Sequence, residues 1–267
     1  MSDWKFSDFI SKDVLFKTPE KGLVISELYD KVTGGAIKGQ THLFIAGSGA
    51  GKTRTGVGVA CDLVRQGWKV VYLTFEQSPV QIAELVLANF NNSKTDAINA
   101  YDMVKDLPLA IKSFETTNKE TIVNTIGSYS NADALVIDYL CLPDDCRNDG
   151  TETSGVLRSM MKDIKTNGEK NNQFIFCLMQ GKEKDDISFA SRDNIWGSRQ
   201  VINPVEVAVI ANRRDKNLID LDFIKVRYSR ISGFKIRLKR TMFYETSKYE
   251  DLGLFDENDK ELDVCEI

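Results

Sequence analysis

A glycine-rich turn between an apolar strand and a helix constrains the fold of this chain more than any other feature. Residues 41–53 read Thr-His-Leu-Phe-Ile-Ala-Gly-Ser-Gly-Ala-Gly-Lys-Thr, and the apolar strand candidate at residues 43–45 runs directly into the turn. In a phosphate-binding loop the backbone N–H groups cradle a polyphosphate, a lysine reaches its β- and γ-phosphates, and a threonine hydroxyl holds Mg²⁺. A turn that binds nothing would explain the glycines but not the Lys-Thr pair. The pattern therefore predicts a site for ATP or another nucleoside triphosphate with Mg²⁺.

The predicted nucleotide-binding residues close the turn and open the helix, and Thr53 is in addition a predicted metal ligand. They are Gly47, Ser48, Gly49, Ala50, Gly51, Lys52 and Thr53. The usual motif begins with glycine, whereas this chain has Ala46 at that position.

From Gly39 onward, strand candidates alternate with helix candidates, which predicts an α/β fold with a mostly parallel, twisted sheet flanked by helices. The final third contains strand candidates alone, and we expect antiparallel strands near the C-terminus. The strand candidates are residues 43–45, 69–75, 109–114, 135–138, 174–179, 205–211, 218–226 and 234–239. Capping residues predict two helix starts, at Ser78-Pro-Val-Gln81 and at Thr117-Asn-Lys-Glu120.

Composition places the chain among ordinary globular proteins. Of its 267 residues 42% are hydrophobic and 28% are charged, and neither a run of about 18 apolar residues nor a signal-peptide pattern is present. Five scattered cysteines and a single histidine disfavour a zinc site and fit a reducing cytoplasm, that of a bacterial host if a phage encodes the chain.

The charge distribution and the strand pattern divide the chain into three predicted parts. Residues 1–35 are too few to fold alone and form an N-terminal arm or linker. Residues 36–248 form the ATPase domain. Residues 249–267 hold eight acids against Lys260 and are expected to be flexible. This tail is either simply solvated, or it competes with nucleic acid or recruits partners such as replication proteins.

Polar residues follow the strands at the edge where ligands of open parallel sheets bind. Glu76, Asp138 and Gln180 end three strand candidates, next to Lys52 and Thr53. Asp138 is predicted to hold Mg²⁺ through water, Glu76 to polarise the attacking water, and Gln180 to sense the γ-phosphate. The alternatives remain open that Glu76 only favours a helix dipole and that Asp138 is a common strand-end acid.

A polar loop after Gln180 mixes basic and aromatic residues. Lys182, Lys184 and Arg192 alternate with Phe189 and Trp196, a composition that suits the backbone of a single nucleic-acid strand. Four acids in the same loop dilute its charge, so a plain solvated loop is the alternative.

Several segments together resemble the RecA-like motor domain of hexameric replicative helicases, the DnaB type and the helicase half of bacteriophage primase-helicases. The resemblance spans about residues 22–245. It is carried by Leu28-Tyr-Asp-Lys-Val-Thr-Gly-Gly35, the phosphate loop, Val70-Val-Tyr-Leu-Thr-Phe-Glu-Gln-Ser78, Leu135-Val-Ile-Asp-Tyr-Leu140, Trp196-Gly-Ser198 and Ile224-Lys-Val-Arg-Tyr-Ser-Arg-Ile-Ser-Gly233. An Asp that follows the Gly-Ser loop in the family is not evident in residues 200–206.

The resemblance implies roles that the residues alone do not. Lys225 and Arg227 match the family's trans-acting finger, which would reach the γ-phosphate bound by the neighbouring subunit. Arg213 would lie near the nucleotide base, and Lys182 would contact DNA. The family forms rings around single-stranded DNA, so a homo-oligomer, a hexameric ring, is implied, and the N-terminal arm could dock on the next subunit.

These expectations favour an ATP hydrolase that translocates on single-stranded DNA, from a phage or mobile element. Two alternatives stay open: a recombination or repair ATPase that forms filaments on DNA, and a non-motor ATP-binding regulator or loader of a helicase.

Overall fold

The computed structural model describes residues 21–90, 97–114, 118–146, 153–181, 199–227, 233–243 and 246–263. Helices and strands alternate along most of these ranges, and short 3₁₀ turns lie at Asp144–Cys146 and Arg199–Val201. The elements are β1 (Lys21–Gly22), α1 (Glu27–Thr33), β2 (Ala36–Ile37), β3 (Thr41–Ala46), α2 (Lys52–Arg65), β4 (Val70–Thr74), α3 (Pro79–Phe90), α4 (Ala97–Val104), β5 (Leu109–Ser113), α5 (Lys119–Ser128), β6 (Ala134–Leu140), α6 (Thr153–Lys170), β7 (Phe174–Gln180), β8 (Val207–Arg213), β9 (Leu218–Val226), β10 (Phe234–Phe243), β11 (Thr246–Asp256) and β12 (Glu261–Leu262).

In the part of the chain that the structure describes, ten strands form one mixed sheet in the order β12-β11-β10-β9-β8-β3-β7-β6-β4-β5. The six strands from β8 to β5 are parallel to one another. The four from β9 to β12 are antiparallel additions at one side. The predicted fold class is therefore confirmed, including the antiparallel strands near the C-terminus.

Strand β3 lies near the middle of the sheet and is buried on both faces, which explains the unbroken apolar run at residues 43–46. Phe44 and Ala46 contribute to the core under α2 and α3. Leu43 and Ile45 point the other way, into the core under α5 and α6. A rigid central strand thus carries the glycine-rich turn at its carboxyl end.

The predicted capping box at the start of α3 is confirmed. The Gln81 side chain accepts from the Ser78 N–H at 2.9 Å, and the Ser78 hydroxyl accepts from the Gln81 N–H at 3.3 Å. The cap of α5 is Asn118 rather than Thr117, since the Asn118 Oδ1 accepts from the Thr121 N–H at 2.8 Å. Thr117 itself lies outside the described residues.

The acidic C-terminal segment is not a flexible tail over its described part, which corrects the prediction. Strand β11 pairs with β10 along its whole length, and β12 pairs with β11. Leu254 is buried in the core. Asp259, in the turn after β11, forms ion pairs of 2.6–2.9 Å with Lys235, Arg237 and Arg214. Asp259 thus pairs with basic residues of β10 and of the turn after β8, an arrangement that a count of charges along the chain does not reveal.

Residues 21–35 also pack on the sheet, so this part of the predicted arm belongs to the body of the domain. Tyr29 is fully buried, and its hydroxyl is 3.0 Å from the Nδ1 atom of His42. Residues 1–20 lie outside the described ranges. Within the described residues no helix is long and apolar enough to span a membrane.

Asp30, a partly buried carboxylate on α1, predicts that the stability of the fold depends on pH. Both oxygens of Asp30 lie 3.0 Å from the Val24 nitrogen. Burial raises the pKa of Asp30 to about 7, and the charges of Asp62 and Asp251 add to the rise.

Because its folded-state pKa lies above the unfolded value, Asp30 binds a proton more tightly in the folded chain. The free energy of unfolding should therefore fall as the pH rises from about 4 to about 7. In Asp30→Asn we expect the fall in the free energy of unfolding to be smaller by about 1–2 kcal/mol, a value that allows for solvent screening of this partly exposed group. Urea unfolding at several pH values measures it. Asp62→Asn should keep most of the slope, and an unchanged slope in Asp30→Asn would contradict the assignment.

Candidate nucleotide-binding site

A cavity of about 1140 Å³ opens at the carboxyl ends of the parallel strands, large enough for a nucleoside triphosphate. The predicted residues that line it are Ser48, Gly49, Gly51, Lys52, Thr53, Glu76, Gln180 and Arg213. Its remaining charged lining consists of Arg54, Glu84, Lys216, Lys239 and Arg240. Among the described residues, the lining thus carries six basic side chains against two acidic ones, which favours a polyanionic ligand.

The turn after β3 has the backbone conformation that its glycines permit. Gly49 and Gly51 have φ angles of +67° and +92°, in the left-handed region. The Gly51 carbonyl accepts from the N–H of Thr55 at 3.0 Å and from its hydroxyl at 3.1 Å, which joins the turn to the first turn of α2. The loop therefore presents the N-terminus of a 14-residue helix to the cavity.

Lys52 lies where a phosphate-binding lysine is expected. Its ammonium donates to the Gly47 carbonyl at 2.8 Å and to the Ala46 carbonyl at 3.1 Å. These bonds hold the positive charge beneath the turn, at the wall of the cavity.

Asp138 lies behind the loop and is almost completely buried, at 3% exposure. Its Oδ2 atom accepts from the Tyr72 hydroxyl at 2.7 Å. Burial raises the pKa of Asp138, whereas hydrogen bonds from Tyr72 and Thr53 lower it, and the Glu76 charge raises it again. The predicted metal ligands Thr53 and Asp138 are thus hydrogen-bonded neighbours.

This hydroxyl–carboxylate pair fits Mg²⁺, which binds few protein oxygens and takes its other ligands from water and phosphate. Among the described residues there is no cluster of three or more His, Cys, Asp or Glu that could hold a metal by itself. Thr53 and Asp138 are therefore the residues that would hold Mg²⁺ together with a bound triphosphate.

Glu76 and Gln180 flank the phosphate loop on two other strands. Glu76 is exposed at the rim, on a turn that the buried Thr74 fixes: the Thr74 hydroxyl accepts from the Gln77 N–H at 3.1 Å. Gln180 is paired in register with Ala46 at the start of the loop. Both residues line the cavity, Gln180 at the end of β7 and Glu76 two residues after the end of β4, and their roles in hydrolysis stay predictions.

Lys225 and Arg227 lie at the opposite edge of the sheet from this cavity. Arg227 forms a 3.2 Å ion pair with Glu206, and the other carboxylate oxygen of Glu206 accepts from the N–H of Thr41, the first residue of β3. The Lys225 ammonium donates to the Asn203 carbonyl at 2.7 Å. The six residues of β3 separate this edge from the phosphate loop by about 20 Å. Neither cation can reach the cavity of the same chain.

Sequence reasoning missed two buried charged residues, Glu206 at the edge opposite the cavity and Arg240 in the cavity lining. Glu206, 5% exposed, also forms a 2.9 Å ion pair with Lys165, and the sequence pattern around it carries no motif that we recognised. Arg240 lines the cavity from β10. The sequence could have indicated Arg240, because in an alternating strand it lies on the same face as the buried Ile236 and Leu238. A charged residue on a buried face needs a specific partner or ligand. Lys182, Lys184 and Arg192 lie outside the described residues.

Comparison with known proteins agrees with the resemblance to DnaB-type helicase domains. Over 205 residues the chain is 24% identical to a probable plasmid replicative DNA helicase of Chlamydia psittaci, a match that covers 67% of this chain and 43% of the relative. The chain thus spans less than half the length of that relative. Among solved structures, an ATPase domain matches over 82% of this chain and 88% of its own, with a TM-score of 0.70 and 14% identity. The likeness establishes a RecA-like fold. No family model matches the chain.

Proposed function

We propose that this chain is an ATP-driven motor of the replicative-helicase type, which hydrolyses ATP at subunit interfaces and translocates on single-stranded DNA. One observation supports the proposal most. Lys52, Thr53, Glu76 and Gln180, predicted to contact phosphate, Mg²⁺ and the attacking water, line one cavity, whereas the candidate finger residues Lys225 and Arg227 lie about 20 Å away on the same chain. A phosphoryl-transfer site usually needs a further cation to stabilise the transition state. A second copy of the chain would supply it, and ring or filament assembly follows.

Within this proposal each cavity residue has a role in hydrolysis. The loop N–H groups and Lys52 bind the phosphates. Thr53, and Asp138 through water, would hold Mg²⁺, which would neutralise charge on the phosphate oxygens. Glu76 accepts a proton from, or orients, the attacking water. Gln180 contacts the γ-phosphate, and this contact couples the bound nucleotide to the position of the loop that follows. In that loop Lys182, Lys184 and Arg192 bind the DNA backbone. Arg213 lies near the base.

Hydrolysis with and without single-stranded DNA tests the motor directly. We expect ATP turnover to rise on addition of oligo(dT) and to respond far less to duplex DNA of equal length. The stimulation should weaken steeply with salt, because binding to the phosphate backbone releases counterions. In Mg²⁺ and a non-hydrolysable ATP analogue, size-exclusion chromatography with light scattering should show a closed oligomer.

The outcomes separate the alternatives. A monomer without hydrolysis, or with hydrolysis indifferent to DNA, would exclude the motor. Open filaments in electron micrographs, with strand exchange and no unwinding, would favour a recombination ATPase.

A further inference from the structure

Arg240 is a buried cation placed against the phosphate loop by the C-terminal hairpin of the same subunit. Its exposure is 6%. A Cβ atom built on Gly51 would lie 3.0 and 3.1 Å from the two terminal nitrogens of Arg240, so the guanidinium packs directly on the glycine before Lys52. Gly51 belongs to the backbone that cradles the α- and β-phosphates in loops of this kind.

Tyr249 fixes the hairpin to the loop from the neighbouring strand. It is the cross-strand partner of Arg240 in the β10–β11 pair. Its hydroxyl is 2.7 Å from the hydroxyl of Thr55, which also donates to the Gly51 carbonyl. Arg240 therefore contacts Gly51, and its cross-strand partner Tyr249 contacts Thr55, one turn further along α2.

The electrostatics around Arg240 favour an anion at this position. Burial lowers the pKa of Arg240, and the positive charges of Arg54 and Arg213 lower it further. The phenol group of Tyr249 acts in the opposite direction and raises this pKa. A partly desolvated guanidinium near two others gains more from a phosphate oxygen than an exposed one would.

We propose that Arg240 binds the α- or β-phosphate of the nucleotide held by its own subunit, which makes the β10–β11 hairpin a nucleotide-binding element. This inference rests on the proposed ATP site and deepens it. It assigns the site a cation in cis, distinct from the predicted finger in trans. It also implies that nucleotide binding stabilises the hairpin, because binding and hairpin docking share one contact.

Equilibrium titration with fluorescent ADP and ATP analogues in Mg²⁺ tests the contact. We expect Arg240→Gln and Arg240→Ala to weaken both nucleotides by roughly ten- to a hundredfold, the range of a charge-assisted hydrogen bond. The loss should be equal for ADP and ATP, because the contact does not involve the γ-phosphate. Arg240→Lys should recover part of the affinity, and Tyr249→Phe should cause a smaller loss of the same kind. Lys170→Ala is the matched control, since it removes an exposed positive charge just before β7, at the far edge of the sheet.

Amide hydrogen exchange supplies a second readout that does not depend on a binding constant. In the wild-type chain, ADP should slow exchange in β11, and Arg240→Gln should lose that protection while its circular dichroism spectrum is unchanged. Wild-type affinity or tighter binding in Arg240→Gln would overturn the inference and leave the ATP site intact; tighter binding would mean that Arg240 competes with the nucleotide. A wild-type chain that binds neither nucleotide would instead overturn the proposed function.

Discussion

Replacing Glu76 by glutamine is expected to lower ATP hydrolysis by about 10²- to 10⁴-fold, the range for loss of a general base, while nucleotide affinity stays near the wild-type value. The amide keeps the size and polarity of the side chain but cannot accept the proton of the attacking water. Glu76 is exposed at the cavity rim, and Lys52 is held by the carbonyls of Ala46 and Gly47 instead, so the phosphate contacts should persist. Steady-state hydrolysis and titration with an ATP analogue measure the two effects separately.

Glu84→Gln is the matched control for this experiment. Glu84 is exposed on α3 and lines the same cavity, so its substitution removes the same charge without removing a strand-end carboxylate. Hydrolysis in Glu84→Gln should stay within a few-fold of the wild type. Equal losses in both variants would mean that Glu76 acts only through the net charge of the cavity. Retention of biological activity in Glu76→Gln would favour an ATP-binding regulator over a motor.

The half of the site that sequence reasoning placed correctly consists of residues with strong local rules. The phosphate loop requires particular glycines, and Glu76, Asp138 and Gln180 each follow an apolar run that is typical of a buried parallel strand, although β6 continues past Asp138 to Leu140. The carboxyl ends of parallel strands lie at the same edge of a sheet, which made the edge of the cavity predictable. These residues also lie close together because β3, β7, β6 and β4 are consecutive in the sheet, an order that the sequence alone did not specify.

The rest depends on pairings between distant segments. Arg240 contacts Gly51, far away along the chain, only because β10 and β11 extend the sheet beyond β9. Residues 234–239 were predicted as a strand, but composition suggested a flexible tail from residue 249 onward, where most of β11 lies. Glu206 joins Thr41, Lys165 and Arg227 in the same way, through strand neighbours that no local pattern specifies. In both cases the missed residue is a buried charge whose partners come from other elements.

Arg227→Ala is expected to lower hydrolysis by about 10³- to 10⁵-fold, the range observed when an arginine finger is absent. Because Arg227 lies at the edge remote from its own cavity, its loss should leave nucleotide binding to each isolated subunit unchanged. Arg227→Lys keeps a positive charge for the ion pair with Glu206 but lacks the forked geometry of the guanidinium. Compared with Arg227→Ala, it should therefore regain most of the thermal stability but little of the rate of hydrolysis. Thermal unfolding of both variants separates the two effects.

Mixing two inactive variants tests whether the site is shared between subunits. An interface that joins the intact cavity of an Arg227→Ala subunit to the intact Arg227 of a Glu76→Gln subunit is complete, and random assembly should produce it at roughly one quarter of interfaces. Hydrolysis should therefore reappear when the two variants are mixed and allowed to exchange subunits. A mixture of Glu76→Gln with Lys52→Ala should stay inactive, since every cavity in it is damaged although every finger is intact. If Arg227 acted within its own subunit, or only stabilised the fold, the first mixture would be as inactive as the second.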